Sequence, residues 1–341
     1  MSVDRGGTKA PTLYDVARLA GVSHQTVSRV VKGQPNVRDE VRQRVSAAIE
    51  HLNYRPNQSA RSLATSRSNR IGAIAYELRA SGPSAIVEAA SVRARERGYV
   101  LDIVNLDPRN DAGVEDAIAL VAQSHLAGVL AFTPTEQVVQ ALGRAKFSVP
   151  ISMESESDLG AAGGHHTGED GVDLMIEHLA SLGHRRMFLI GGPEGWLAAQ
   201  GRSRAYMRGL AERGLTSVGA VSGDWSARSG YEGVARMPAD AGITALVAAN
   251  DQTALGAVAA LSERGLRVPE DISVVGFDDI PESQYFRPAL TTVRYDFSSQ
   301  GRLLTDRLIA RIEGQAEPSA SELAPPVAVI RASTAPRAGE V

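Results

Sequence analysis

Four polar side chains near the start of the chain, His24, Gln25, Ser28 and Arg29, have the types and the spacing needed to read a hydrogen-bonding surface. On a helix they fall on a different face from the apolar Val27. A glutamine amide pairs well with adenine and an arginine guanidinium with guanine. The row is therefore suited to contact base edges in a groove of DNA. The spacing alone leaves a second interpretation open, a small helical bundle whose polar face is only solvated.

The segment that must position this row has the sequence TLYDVARLAGVSHQTVSRVV and begins at Thr12. Thr12 is predicted to cap a helix over about Leu13–Ala20, with Asp15 as its capping-box partner. Gly21 supplies the left-handed residue that stops this helix, and Ser23 caps the second helix. These signals predict two short helices joined by a tight turn.

A third amphipathic helix is indicated by apolar residues at helical spacing, namely Val41, Val45, Ala48, Ile49 and Leu52. Two helices joined by a short glycine-bearing turn, with a third in support, form the helix-turn-helix arrangement. The sequence therefore predicts a small all-α headpiece.

The charge distribution favours DNA as the partner of this headpiece. Residues 1–70 carry 12 lysines and arginines against 5 aspartates and glutamates, a net charge of +7, whereas the whole chain carries −3. The remaining residues therefore carry −10. A basic head on an acidic body is expected when only the head meets phosphates.

Longer motifs give a family resemblance that extends over about residues 11–331. Besides the headpiece sequence they are LNYRPNQSARSLA, GPSAIVEAA, GEDG, HLASLGH, GDWSARSG, ANDQTALGA, GLRVPEDISVVGFDD and LTTVRYDF, in that order. On these motifs the chain resembles the lac repressor family of bacterial transcriptional regulators. The resemblance implies that it binds pseudo-palindromic double-stranded operator DNA.

The resemblance also implies which residues contact the operator. In the headpiece they are Thr12, Leu13, Tyr14, Ser23, His24, Gln25, Thr26, Ser28 and Arg29, and in the hinge that follows they are Asn57, Ala60, Leu63 and Ala64. The hinge is too short to be a stable isolated helix, so the family pattern implies that it orders on the operator. Leu63 matches the apolar residue that wedges into the minor groove, although its alternative is an ordinary core leucine. His24 departs from the family's tyrosine, so we expect a different operator sequence, and contact with a phosphate stays open for it.

Six short apolar runs in the remainder predict parallel strands covered by helices: IGAIAY, YVLDIV, AGVLAF, RMFLI, TALVAA and ISVVGF. The resemblance implies an α/β body of two doubly wound parallel-sheet subdomains of the periplasmic-binding-protein type. The predicted boundaries are 1–56 for the headpiece, 57–69 for the hinge and linker, 70–332 for the body and 333–341 for a disordered tail. Subdomain 1 takes about 70–165 and 296–325, and subdomain 2 takes about 166–295 and a return strand within 326–332.

A ligand cleft is expected between the subdomains, where strand ends face a crevice. The family pattern places the following residues around it: Ile86, Glu154, Gln200, Arg202, Trp225, Asn250, Asp278, Tyr295 and Phe297. An amide and a carboxylate can together satisfy adjacent sugar hydroxyls, and tryptophan can stack on an apolar sugar face. For the carboxylate Asp278 alone, a loop-capping role is the alternative.

Two departures from the family pattern concern the ligand's identity. The family pattern has an arginine that binds sugar hydroxyls where this chain has Gln200. Arg202 follows two residues later, and either residue can take this role. The first-subdomain aspartate falls near Glu154 or Ser155 after a one-residue gap. Trp196 either shapes the pocket or is a surface aromatic. The expected effector is a sugar of galactoside type.

Composition narrows the remaining function classes. The chain has no cysteine, which excludes disulfides, cysteine-bound zinc and thiol catalysis. No cofactor or metal is expected, and no nucleophile–base pair or phosphate loop indicates an enzyme. With no apolar membrane span and no signal peptide, the expected location is the cytoplasm, with no membrane partner. The final residues lack leucine heptads, so we expect a homodimer that does not form tetramers through a coiled coil.

The function predicted from the sequence is a repressor of sugar-utilisation genes that a small sugar releases from its operator. The alternative is the same architecture with the opposite sign, in which a small corepressor promotes DNA binding, as in the family's purine-responsive members. A secreted sugar-binding protein with the same body is disfavoured by the headpiece.

Overall fold

The computed structural model describes residues 11–31, 36–54, 68–154, 167–319 and 323–337. The chain divides into two compact units, one up to Ser68 and one from Asn69 onward. Each unit has its own hydrophobic core. They are described separately below, as the headpiece and the body.

The headpiece contains three helices, α1 (Leu13–Ala20), α2 (His24–Val31) and α3 (Asp39–His51), as the sequence predicts. Val16, Val27 and Val45, one from each helix, are fully buried against each other. The alternation of one buried face and one polar face is what allows such short helices to persist, because tertiary packing supplies the stability that eight-residue helices lack alone.

The capping box at the start of α1 is present. The backbone N–H of Thr12 donates to Asp15 Oδ2 at 2.9 Å, and the backbone N–H of Asp15 donates to Thr12 Oγ1 at 3.4 Å. Gly21 ends α1 with φ 63°, the left-handed conformation for which glycine was predicted. Ser23 Oγ accepts from the backbone N–H of Thr26 and so begins α2.

The body contains two parallel four-stranded sheets with helices between their strands. The first sheet has the order β2-β1-β3-β4, formed by Arg70–Tyr76 (β1), Val100–Leu106 (β2), Gly128–Phe132 (β3) and Ile151–Glu154 (β4). Its helices are Ser81–Glu96 (α4), Asp111–Gln123 (α5) and Glu136–Arg144 (α6).

The second sheet repeats this order as β6-β5-β7-β8, with strands Arg186–Ile190 (β5), Thr216–Val221 (β6), Ala245–Ala248 (β7) and Ser273–Val275 (β8). Its helices are Thr167–Ser181 (α7), Leu197–Glu212 (α8), Ala227–Val234 (α9) and Asp251–Glu263 (α10). A 3₁₀ turn covers Ser283–Tyr285.

The end of the chain crosses between the two sheets. After Thr292–Arg294 (β9) in the second subdomain, helix Phe297–Glu313 (α11) packs on α4 of the first. Val327–Val329 (β10) then returns as the antiparallel partner of β9. Asp306 on α11 holds this packing through ion pairs to Arg93 and Arg97.

All six predicted strands are present and β10 lies within the predicted return segment, whereas three further strands, β4, β6 and β9, were missed. Strand β6 lies at an edge and carries the sequence TSVGAV, in which a glycine and small polar residues dilute the apolar signal. Strand β4 is only four residues long. A short strand at the edge of a sheet has a neighbouring strand on one side only. Fewer of its side chains therefore have to be apolar, and its sequence signal is weak.

The structure differs from the prediction that residues from 333 onward form a disordered tail. Ser333 is fully buried, accepts a hydrogen bond from the backbone N–H of Thr291 at 2.8 Å and donates to the carbonyl of Val274 at 2.6 Å. Further along, the backbone N–H of Arg337 donates to the carbonyl of Leu182 at 2.9 Å. The composition of this segment suggested no regular structure, but its backbone groups pair with the second subdomain.

We predict that Thr12→Ala destabilises α1 by about 1 kcal/mol, because one N-terminal amide loses its side-chain acceptor. Hydrogen–deuterium exchange of the peptide covering residues 11–20 in the intact chain should accelerate about fivefold. The control is Leu19→Ala on the exposed side of the same helix. Equal exchange rates in the two variants would contradict the capping assignment.

We also predict that Ser333→Ala lowers the free energy of unfolding of the body by about 1–3 kcal/mol, because two buried backbone partners lose their hydrogen bonds. Urea unfolding followed by tryptophan fluorescence reports on the body, since both tryptophans lie there. Ala332→Ser, at an exposed neighbouring position, should change the value by less than about 0.5 kcal/mol. A Ser333→Ala variant as stable as the parent would show that this segment does not hold the fold.

Candidate functional site

The first candidate site is the outer face of α2. His24, Gln25 and Arg29 are exposed, and Ser28 is half-buried between them and the core. Val27 on the opposite side fixes the helix to the headpiece core. The predicted base-reading row is thus available at the surface on a helix that is rigidly held.

Helix α1 adds an aromatic side chain to this face. Tyr14 is 65% exposed, and its ring centroid lies 5.3 Å from that of His24. The other predicted contacts of this region differ in availability. Thr12 uses its hydroxyl in the capping box, donating to Asp15 Oδ2 at 2.6 Å, and Leu13 is half-buried against the headpiece core. The hydroxyl of Thr12 is therefore already engaged in the cap and is less available for a contact with DNA.

The predicted hinge contacts Asn57, Ala60, Leu63 and Ala64 lie outside the described residues. Their assignment stays a prediction from the sequence.

The second candidate site is a cleft in the body between the two subdomains. It encloses about 810 Å³ of space free of protein atoms, including solvent at its mouth. Its walls come from the loops at the carboxyl ends of both sheets and from the first turns of α4, α8 and α11. The predicted residues on its walls are Ile86, Arg202, Trp225, Asn250, Asp278 and Phe297.

Arg202 is a charged side chain on the cleft wall and is 6% exposed. Its Nη1 donates to the carbonyl of Ala249 and lies 3.7 Å from Oδ1 of Asp278. Its guanidinium carbon stacks 3.8 Å from the ring centroid of Phe277. The guanidinium is thus held in one orientation, with a carboxylate beside it, facing the cleft.

Gln200, the other candidate for the gripping position, is exposed and is not on the cleft wall. Both residues belong to α8, on which side chains two positions apart point about 200° apart around the axis. Only one of them can face the cleft, and it is Arg202. Of the two, Arg202 is therefore the residue placed to meet a ligand, and the sugar-binding role stays a prediction.

Asn250 and Asp278 approach the cleft from the ends of β7 and β8. Asn250 is already engaged, since its Oδ1 accepts from the backbone N–H of Thr253 at 2.9 Å and its Nδ2 donates to the carbonyl of Trp225 at 3.0 Å. Asp278 has φ 111°, a conformation rarely adopted by residues other than glycine. Strain of this kind is typical of binding sites.

The carboxyl of Asp251 lies directly behind this wall and is fully buried. Its Oδ2 accepts from the backbone N–H of Ile280 at 2.9 Å, and its Oδ1 accepts from Thr292 Oγ1 at 2.5 Å. Burial, together with the nearby charge of Asp278, raises the pKa of Asp251 to about 8. Asp251 therefore links the loop after β8 to strand β9 through hydrogen bonds. These bonds help to fix the backbone conformation of the loop that contains Asp278.

Two tryptophans form the aromatic part of the cleft. Trp225 lies against Gly192, where a side chain's Cβ would come within 2.4–2.8 Å of the indole ring. Trp196 is buried on the cleft wall with its ring centroid 6.3 Å from that of Trp225. Of the two interpretations of Trp196, the pocket-shaping one is therefore correct.

The first subdomain contributes an apolar wall. Ile86 and Gly82 on α4 face Phe297 on α11, and a Cβ at Gly82 would lie 3.0 Å from the Phe297 ring. Tyr295 does not line the cleft as predicted. It is buried in the core of the second subdomain, 4.7 Å from Phe297 between ring centroids. The side chain of Glu154 is outside the described part of the structure, so its assignment stays a prediction.

Among the contacts that join the described parts of the two subdomains at the cleft, three involve single pairs of residues. Gln252 Nε2 donates to Ser81 Oγ at 2.8 Å, and the backbone N–H of Leu197 donates to the carbonyl of Pro134 at 2.9 Å. The Tyr76 and Trp196 rings meet edge to face at 5.4 Å. These contacts lie at the cleft, where a bound ligand can strengthen or disturb them.

Sequence reasoning missed several residues of the cleft: Tyr76, Glu77, Phe132, Thr133 and Gln300. Glu77 directly follows β1 and is paired with Arg109 at 2.7 Å. Its burial, with the charges of Asp224 and Asp107, raises its pKa, and Arg109 opposes the shift. Its position at the carboxyl end of a predicted parallel strand was the available signal.

The described residues contain no group of three or more histidines, aspartates or glutamates placed to hold a metal ion. Within the same ranges, no helix is long and apolar enough to cross a membrane.

Comparison with known proteins connects both candidate sites to one family. Residues 12–57 match the model of bacterial regulatory proteins of the lacI family, and residues 176–334 match the periplasmic binding protein-like domain. The lactose operon repressor of Escherichia coli K12 is 38% identical over 316 residues, which cover 90% of this chain and 86% of that protein. The transcriptional repressor PurR of Edwardsiella ictaluri is 32% identical, covering 95% and 97%.

Solved structures give the same relationship. The lac repressor dimer bound to operator and the anti-inducer ONPF is similar with a TM-score of 0.86 and 35% identity, covering 96% of this chain and all of that one. A complex of the transcriptional regulator CelR with cellobiose has a TM-score of 0.67 and 28% identity, covering 95% and 99%. The fold is therefore a helix-turn-helix domain followed by a periplasmic-binding-protein-like body of two parallel-sheet subdomains. The chain belongs to the lacI family of bacterial transcriptional repressors and is not an enzyme.

Proposed function

We propose that the protein is a dimeric repressor that binds pseudo-palindromic operator DNA through α2 and is released when a small sugar, of galactoside type, fills the cleft. The observation that carries the sugar assignment is the buried pair Arg202–Asp278 on the cleft wall, with the Arg202 guanidinium 5.4 Å from the ring centroid of Trp225. A guanidinium and a carboxylate offer donors and acceptors to adjacent hydroxyls, while an indole face covers the apolar side of a sugar ring.

The exposed row on α2 supports the DNA part of the proposal. His24, Gln25 and Arg29 are exposed together on a short helix whose other side is fixed in the core. The related lac repressor is a dimer in its complex with operator, and we propose the same assembly here. A twofold dimer presents its two recognition helices to two half-sites of a palindrome.

Ligand and operator are proposed to oppose each other through the cleft. Because the cleft is lined by both subdomains, a ligand that binds one arrangement of them better shifts the population toward that arrangement. The coupling must be reciprocal, so operator DNA weakens ligand binding by the same factor by which the ligand weakens operator binding.

A corepressor mechanism is the alternative, and the observation that favours it is the similarity to PurR repressors at 30–32% identity over at least 90% of this chain. Titrating operator binding with sugars and with purines separates the two. Release by a sugar supports the proposal. Tightening by any compound establishes the corepressor mechanism instead.

We predict that Arg29→Ala weakens specific operator binding by about 1–3 kcal/mol, because a bidentate base contact is lost. The matched variant is Arg29→Lys, which keeps the charge and removes the fork. It should keep binding to nonspecific DNA and lose discrimination at one base pair. Binding measured on operator variants at fixed salt tests this, and unchanged discrimination in both variants would contradict the role.

We predict that Asp278→Asn lowers affinity for the effector by about 10- to 100-fold, because a charge-assisted hydrogen bond to a hydroxyl is lost. Operator binding without ligand should persist. Asp271→Asn is the matched control, since Asp271 pairs with Arg267 at the surface and does not line the cleft. An Asp278→Asn protein that the same sugar still releases at the same concentration would refute this placement.

A further inference from the structure

Gln300 is the least expected side chain on the cleft wall. It lies in the first turn of α11, on the same side as Phe297, and is 5% exposed. The same face of α11 continues with Leu303, Leu304 and Leu308, which are buried in the first subdomain. A polar residue at such a position is unfavourable unless its amide is satisfied.

The amide oxygen of Gln300 has no partner among the described residues. Oε1 is buried and accepts no hydrogen bond from any of them. Two buried polar side chains nearby differ from Gln300 in this respect. Thr305, one turn further along the same helix, donates to the carbonyl of Gly301 at 2.8 Å, and Asn250 across the cleft uses both ends of its amide.

Gln300 lies where two helices of the first subdomain are tightly packed. A Cβ at the adjacent Gly301 would lie 2.3 Å from the carbonyl oxygen of Ile86, so α4 and α11 are in contact there. The terminal torsion of a glutamine is broad, so the amide can rotate to meet a group that enters the cleft. The open side of the site is therefore where its partner must come from.

We propose that the carbonyl oxygen of Gln300 accepts a hydrogen bond from a hydroxyl of the bound saccharide, and that Gln300 thereby determines ligand specificity from the first subdomain. This inference rests on the proposed function. It also deepens it, because Arg202 and Asp278 bind from the second subdomain. The ligand must then carry hydroxyls on two sides, one set for the ion pair and one for Gln300. A saccharide that contacts both walls would favour one arrangement of the two subdomains.

The test measures ligand binding to the intact chain by tryptophan fluorescence, with lactose, methyl β-D-galactoside and cellobiose as probes. The variant is Gln300→Met, which keeps length and flexibility and removes the carbonyl, with Gln300→Leu as a second apolar variant. For the probe that binds the parent, we expect both variants to weaken binding about three- to tenfold. The control Thr305→Val lies off the cleft and should stay within about twofold.

Two readouts separate recognition from a structural role. The thermal midpoint of Gln300→Met should equal or exceed that of the parent, because an unsatisfied buried oxygen has been removed. Among the monodeoxy analogues of the binding probe, one should bind the parent more weakly than the full sugar does. That analogue and the full sugar should bind Gln300→Met equally.

The results that overturn the inference differ from those that overturn the proposed function. Apolar variants that bind the probe as tightly as the parent, or that lose the same factor with every deoxy analogue, contradict the role of Gln300 alone. If no saccharide binds the parent, the proposed function fails and this inference fails with it. Binding of hypoxanthine or guanine in that case would identify the corepressor alternative.

Discussion

The cleft depends on one buried charge, the guanidinium of Arg202. It donates to the carbonyl of Ala249 at the end of β7, lies beside Asp278 after β8 and stacks on Phe277. Three separate elements of the second subdomain therefore have to hold their places around this one group. The polar surface offered to a ligand is a consequence of that arrangement.

The backbone around the ion pair is strained, and further interactions hold it. Of the five described residues other than glycine with positive φ, four lie on the cleft wall or beside it: Glu77, Trp225, Asp278 and Asp279. Asp279 is fixed by Arg294 at 2.7 Å and Arg331 at 2.6 Å, and these ion pairs lower its pKa against the effect of burial. Conformations of this kind cost about 1–3 kcal/mol each and persist only where the surroundings impose them. Their concentration here is consistent with a preorganised binding surface.

The structure of the headpiece depends mainly on local interactions rather than on a buried ion pair. Its helices are short, and local signals specify them almost completely: a capping box at Thr12, a left-handed Gly21 and valines at helical spacing. For this reason all three helices could be predicted to within a residue or two. The same locality places the base-reading row outward, because burying Val27 leaves His24 and Arg29 on the other side of α2.

By itself, the sequence determined the family, the three headpiece helices and six of the body's strands, since these follow from periodicity and from motifs that are local in the chain. Only the tertiary structure decided the details of the cleft. Arg202 rather than Gln200 faces it because the packing of α8 fixes one rotation of that helix, and Tyr295 fills the core instead of the wall. The sequence likewise did not predict the unpaired amide oxygen of Gln300 or the hydrogen-bond partners of Ser333. In each case the outcome depends on contacts between residues far apart in the chain, which composition and spacing do not encode.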